Sequence, residues 1–284
     1  MRVARTVAEV RAAVAEARAR GATIGFVPTM GYFHEGHLSL MRQSVAENGF
    51  TVVSLYVNPL QFAPTEDLAQ YPRDFERDRR LAAEAGVDVL FAPDDAEMYP
   101  DGPQAQRTVV SVRGLNAVLC GRSRPTHFDG VTTVVTKLFH IVAPDRAYFG
   151  QKDYQQALII RRMVRDLNFP VEIRVAPIVR EPDGLAMSSR NAYLTPEQRA
   201  AAPVLHRALS EAAARIRAGE RDAGRVRAFL RETISAAPHA RLDYAEVVDP
   251  DTLEDVDTIQ GPVLLAVAAY FGRARLIDNM LVSP

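Results

Sequence analysis

The sequence predicts an α/β protein, a Rossmann-like doubly wound parallel sheet joined to a second, smaller α+β domain. Three observations predict it. Apolar runs of strand length alternate with amphipathic helical stretches through residues 1–175, the pattern of successive βαβ units in a parallel sheet. From 176 to 284 helices come first and strands follow, the ordering of a small α+β domain. The length, 284 residues, is about two domains' worth.

Each element has a local reason. Thr6 to Arg20 places Val7, Val10, Val14 and Ala17 on one helical stripe; Thr6 and Glu9 fit a capping box and Gly21 supplies the stop. Ala22 to Val27 is a short apolar strand broken by Pro28 and Gly31. A helical pattern runs from about Gly36 to Glu47 and closes at Asn48-Gly49, and the Val-dense run Phe50 to Val57 is the next strand. A helix over Phe75 to Ala85 and a strand over Val87 to Phe91 follow, then a Gly/Pro-punctuated surface loop from Pro93 to Pro103. Asp129 to Ile141 reads as a helix with Val131, Val134, Val135 and Leu138 inward. Arg146 to Phe149 is a strand, Asp153 to Leu167 a helix, and Val171 to Val179 an extended run. In the second part, Pro196 to Ala218 and Ala223 to Ala236 are Ala/Arg/Glu-rich helices. Leu242 to Val248, Val263 to Tyr270 and Leu276 to Val282 are β-prone.

Composition narrows the function classes. Hydrophobic residues are 48% and charged residues 24%, ordinary for a globular protein. A formal net charge of -1 gives no global basic field for a polyanion, so no nucleic-acid partner is expected. One cysteine, Cys120, excludes an intrachain disulfide framework. No leader is evident at the start, and no apolar run reaches the roughly 18 residues that span a bilayer. A cytoplasmic protein without a membrane partner is the expectation.

Five segments are candidates for chemistry. Pro28 to His37 lies where the first strand of the sheet gives way to a helix; ligands in open parallel sheets bind off the carboxyl ends of strands. A helix N-terminus there favours a phosphate, and Gly36 lets it approach the backbone. His34 and His37, three apart, share a face of the emerging turn and are placed to donate to nucleotide phosphates. His34-Glu35-Gly36-His37 lacks the two intervening residues of the zinc-protease pattern, and no third ligand lies nearby, so no metal site is expected. Asn58 to Phe62 follows the next strand; Asn58 and Gln61 both donate and accept, which suits a hydroxylated ligand, although a polar turn shaped by Pro59 explains the segment equally well. Phe149 to Gln156 again runs from strand through Gly150 into a helix, with Lys152 as a point charge for a triphosphate, Asp153 as the cap and Gln156 one turn in. In the loop Arg180 to Asn191, Ser188, Ser189 and Arg190 offer two hydroxyls and a guanidinium in succession, a set that can close over phosphates. Taken alone, that run reads as a polar turn. Arg122 to Phe128 holds two arginines and His127, and suits either an anion or a subunit contact.

Together these segments closely resemble the pantothenate synthetase family, over nearly the whole chain and in order from Val27 to Asn191. The family sits in the adenylate-forming nucleotidyltransferase superfamily, whose His-x-Gly-His motif matches His34 to His37; Met187 to Arg190 replaces that superfamily's mobile Lys/Ser-rich motif. The resemblance implies an AMP-forming ligase that condenses pantoate with β-alanine through a pantoyl-adenylate. It implies that ATP is held by Met30, Gly31, His34, Gly36 and His37, by Gly150, Gln151, Lys152 and Asp153, and by Val179, Met187, Ser188, Ser189 and Arg190. His37 corresponds to the family's proton donor, and Gln61 and Gln156 to its pantoate holders, with Gln61 also near β-alanine. His34, His37, Lys152, Ser188, Ser189 and Arg190 are the expected catalytic donors, and Asn58 joins Gln61 and Gln156 as an expected pantoate or β-alanine contact. Mg2+ is expected to arrive with ATP, and the family implies a homodimer. Tyr32-Phe33, Gln151 and Thr126 stand where Ala-Leu, Glu and Gly are usual, and no needed charge or donor is lost. Two rivals share the site: a nucleotidylyltransferase that leaves AMP on its product, and a non-catalytic nucleotide-binding module.

Overall fold

The computed structural model describes residues 1–64 and 66–284. The chain divides into two compact units. The first comprises 1–117, 124–151 and 155–177; the second comprises 118–123, 152–154 and 178–284. Two short segments that precede residue 175 therefore belong to the second unit.

The first unit is built on six strands, β1 (Arg2–Ala4), β2 (Ile24–Thr29), β3 (Phe50–Leu55), β4 (Val89–Phe91), β5 (Arg146–Gly150) and β6 (Glu172–Ala176). They form one parallel sheet in the order β1-β4-β3-β2-β5-β6. The helices between them are α1 (Val7–Ala19), α2 (Glu35–Glu47), α3 (Phe75–Glu84), the single turn α4 (Asp95–Met98), α6 (His127–Val142) and α7 (Tyr154–Asp166), while the turn α5 (Cys120–Ser123) belongs to the second unit. Strand alternation explains why the sheet is doubly wound. Phe26, Val52, Phe91, Ala147 and Phe149 point into one core with residues of α1, α6 and α7. Their neighbours Val27, Val53, Leu90 and Tyr148 point into another with Leu40, Met41 and Ala82 of α2 and α3. Burial on both faces makes the strands read as continuous apolar runs. Each large side chain so buried contributes about 1.5–3 kcal/mol.

The second unit carries an antiparallel sheet, β7 (Ala240–Val248), β8 (Val263–Phe271) and β9 (Ala274–Val282), in that order. Against it pack α9 (Val204–Arg217) and α10 (Ala223–Ser235), preceded by α8 (Pro196–Ala201). Leu205, Leu209, Ile216, Leu230 and Ile234 meet Val247, Leu265, Val267 and Phe271 in its core.

Three local expectations change. The single helix over 196–218 is two, α8 and α9, because Pro203 cannot continue the first and starts the second. β1, three residues on the sheet edge beside β4, is an addition. The loop from Pro93 to Pro103 contains α4, capped by Asp94, whose carboxylate accepts the Glu97 N–H at 2.9 Å. The Thr6–Glu9 box is present, with both reciprocal bonds made.

Candidate active site

In the first unit, β3, β2 and β5 are adjacent and parallel, so their carboxyl ends lie along one edge of the sheet. After β2 the chain turns through Gly31 (φ 84°) and Tyr32 (φ 51°), both left-handed. Asp78 of α3, fully buried, braces that turn: its carboxylate accepts the N–H groups of Tyr32 at 2.6 Å and Phe33 at 2.7 Å. Burial pushes the Asp78 carboxyl above its ordinary value, against the two N–H bonds that lower it. Glycine is needed at 31, since a side chain there would meet Asp78 and Leu55 at 3.0–3.1 Å in a backbone conformation that L residues resist.

The turn delivers two imidazoles to the start of α2. His34 is the N-cap, its Nδ1 accepting the Gly36 N–H at 3.2 Å, while His37 Nδ1 accepts the His34 N–H at 3.3 Å. This is a capping box made by two histidines, with ring centroids 4.1 Å apart. Both acceptances require an unprotonated Nδ1, which fixes each neutral ring as the Nε2–H tautomer. At this helix start, where phosphate was expected to approach, the Gly36 N–H is bonded to His34.

After β3, Asn58 is buried and fully bonded. Its Nδ2 donates to Gln61 Oε1 and to the Gly130 carbonyl, both at 3.1 Å, and its Oδ1 accepts from Tyr99 OH at 2.8 Å. Asn58, expected as a ligand contact, thus has one amide atom bonded to Gln61 and the other to Tyr99, and Gln61 Nε2 lies 3.9 Å from Met30 Sδ. The Gln61 carbonyl is held by Arg124 Nη2 at 3.2 Å and His127 Nδ1 at 3.0 Å. Arg124 is paired with Glu66. Burial raises the Glu66 carboxyl, but the Arg124 bonds and charge outweigh it and hold it below the usual range. Arg124 and His127, whose part the sequence left open, thus hold the main chain at Gln61. Gly130 is required beneath the turn, because a Cβ there would stand 2.2 Å from the Leu60 carbonyl oxygen.

After β5, Gly150 and Gln151 lead to α7, where Gln155 is buried with its amide donating to the Leu115 carbonyl at 2.8 Å. Gln156 is half-buried. Lys152 and Asp153 lie in a 3-10 turn that runs directly into α7, their side chains 3.5 Å apart. Asp153 thus sits inside a continuous helical run, where a cap was expected.

The other expected phosphate contacts lie in the second unit. Val179 accepts the Met187 N–H at 3.0 Å, closing a hairpin in which Arg180 bridges Ala186. Ser188 caps the turn Ser189–Tyr193, its hydroxyl accepting the Arg190 N–H at 3.2 Å, and Asn191 Nδ2 donates to the Ala186 carbonyl at 3.2 Å. Ser189 is buried. Cys120 is also buried here, its Sγ accepting from both terminal nitrogens of Arg275 at 3.4 Å and lying 3.3 Å from Tyr244 OH. Burial pushes the Tyr244 hydroxyl well above its ordinary value. Among the described residues, no group of three or more His, Cys, Asp or Glu is arranged to hold a metal ion.

Comparison with known proteins covers the whole chain. The family model described as "Pantoate-beta-alanine ligase" matches residues 2–281. Pantothenate synthetase of Moorella thermoacetica is 60% identical over 282 residues, 99% of each chain. The crystal structure of pantothenate synthetase from Thermus thermophilus superposes with a TM-score of 0.94 at 51% identity, covering 100% of both chains. A pantoate-beta-alanine ligase from Francisella tularensis, complexed with beta-gamma ATP and beta-alanine, gives a TM-score of 0.79 at 33% identity over 99% of this chain and 97% of that one.

Proposed function

The chain belongs to the pantoate–β-alanine ligase family, and from that premise we propose how its residues perform an ATP-dependent condensation of pantoate with β-alanine. A carboxylate does not acylate an amine unaided. Pantoate attacks the α-phosphorus of ATP, pyrophosphate leaves, and a mixed anhydride, pantoyl-adenylate, forms. The β-alanine amine then attacks the acyl carbon and AMP departs. No side chain is acylated, so catalysis is positioning plus stabilisation of charge on phosphoryl oxygens.

The observation that carries the assignment of roles is the reciprocal imidazole cap on α2. With both Nδ1 atoms accepting backbone N–H groups, His34 and His37 keep their N–H donors at Nε2, beside a helix N-terminus that favours phosphate. His37 is the proposed proton donor to the leaving oxygens. Gln61 and Gln156 hold pantoate through its hydroxyls and carboxylate, and Asn58 orients Gln61. Met30, Gly31, Gly150, Gln151, Asp153, Val179 and Met187 contact the nucleotide. Lys152, Ser188, Ser189 and Arg190 supply the donors for the triphosphate. Cationic, hydroxyl and imidazole donors suit phosphate oxygens rather than a metal, so Mg2+ is proposed to ride on ATP and keep much of its water.

Among the described residues no helix is long and apolar enough to cross a membrane. A cytoplasmic location and a homodimer belong to the proposal, the latter checked by sedimentation. The deciding experiment mixes ATP, magnesium, pantoate and β-alanine, omits each in turn, and identifies the nucleotide product. AMP and pyrophosphate that require pantoate support the reading. ADP, AMP left on the product, or no turnover each refutes it.

A further inference from the structure

Two consecutive residues of β9, Asp278 and Asn279, are buried and polar in a strand that is otherwise mostly apolar. They pair with Val267 and Ala266 of β8. Successive strand side chains point to opposite faces. Asp278 shares its face with Ala274, Leu276 and Val282, which belong to the core under the helices. There its carboxylate takes both terminal nitrogens of Arg180, at 2.6 and 2.9 Å. Arg180 also donates to the Gly184 carbonyl at 3.0 Å, so this ion pair ties to β9 the hairpin that leads into Ser188, Ser189 and Arg190. The Ser189–Tyr193 turn itself packs on β9. On the other face Asn279 Nδ2 donates to the Lys152 carbonyl at 3.0 Å. The next residues of that insert are anchored too, Tyr154 OH donating to the Pro250 carbonyl at 3.1 Å. One further bond joins the pair, the Asn279 N–H donating to Asp278 Oδ1 at 2.8 Å.

We propose that Asp278 and Asn279 are positioning residues, back to back on one strand, that hold Lys152 and the Ser188–Arg190 loop as a single frame for the triphosphate. This rests on the roles proposed above for those four residues. The frame explains why residues 152–154 group with the second unit while the flanking residues do not. A lysine on a free loop spends rotational freedom each time it meets a phosphate; one whose backbone is bonded to a sheet spends less. Because the two phosphate-binding segments are tied to neighbouring residues of one strand, their spacing is set before ATP arrives.

The test is a double-mutant cycle read by two assays: calorimetric binding of α,β-methylene-ATP, and single-turnover pyrophosphate release with pantoate. Asn279→Ala is expected to weaken analogue binding and slow pyrophosphate release by about 10-fold to 100-fold, the range for a misplaced reacting group. In a Lys152→Ala background the same substitution is expected to change either quantity by less than about 2-fold, since its effect passes through Lys152. Asp278→Asn should couple in the same way to Arg190→Ala. Equal losses in both backgrounds overturn the inference, because a general weakening of the fold adds to the loss of Lys152 without coupling to it. If Asn279→Ala does not fold, Asn279→Ser, too short to reach the carbonyl, takes its place. A wild-type chain that binds the analogue yet releases no pyrophosphate removes the ligase reading, and the binding half of the cycle still decides this one.

Discussion

Gly130→Ala tests whether the Pro59–Gln61 turn is set by backbone contact with α6. A Cβ at 130 would stand 2.2 Å from the Leu60 carbonyl oxygen, 2.5 Å from its carbon and 2.8 Å from the Gln61 nitrogen. All three are main-chain atoms, so no side chain can rotate away, and relief requires a shift on the order of 1 Å. The Gly130 carbonyl also accepts from Asn58, which orients Gln61. One methyl group therefore moves the turn and loosens the amide above it. Overpacking of this kind costs about 1–3 kcal/mol, and at about 2–4 °C per kcal/mol the midpoint of thermal unfolding should fall by about 2–12 °C. Displacing the proposed pantoate amide by ~1 Å should lower kcat/KM for pantoate by about 100-fold. Binding of an ATP analogue should stay near wild type. Gly261→Ala is the control, because nothing lies within 4 Å of a Cβ there. Steady-state kinetics with pantoate varied, beside calorimetry, measure both effects. A variant with wild-type kcat/KM for pantoate would refute the claim that this contact sets the site.

Three further outcomes are expected. Lys152→Ala should slow pyrophosphate release by about 100-fold or more, as for a lost transition-state donor; near-normal release contradicts its role. Gln156→Ala should weaken pantoate far more than ATP in equilibrium binding, and equal weakening of both would discard it as a pantoate holder. His206 has its value lowered from 6.5 by burial first and then by the Arg180 charge, and its Nδ1 is buried with no hydrogen-bond partner among the described residues. A depressed folded value means that the unfolded chain binds the proton more readily. The stability it contributes is present above pH 6.5 and is lost as pH falls toward the folded value. Denaturant titrations of wild type and His206→Gln across that window should show a smaller acid-side loss in the variant; parallel curves would reject the assignment.

The parts of this molecule that were legible in the sequence share a physical cause, and so do the parts that were not. Strands buried on both faces leave unbroken apolar runs, which is why β2, β3 and β5 could be read from Val27, Val53 and Tyr148 as easily as from their neighbours. The Thr6–Glu9 box is local chemistry, complete within four residues. β1 was missed because its three residues lie on an edge and only Ala4 is buried. The break at Pro203 follows from its missing N–H, but the Ala-rich composition on both sides reads as one helix. What the sequence withheld about the site is long-range. Asp78 sits in a run of alternating charges that reads as a solvated helix face, and its partners are 45 and 46 residues away. Asn58 and Gln61 looked alike as amides, but their roles part only when Tyr99 and Gly130 arrive to occupy the first. Lys152, placed by its strand-to-helix context in the first domain, is bonded through its carbonyl to a residue 127 positions later. A motif names the groups that meet a ligand. The bonds that orient those groups come from wherever the fold supplies them, and spacing along the chain carries no trace of them.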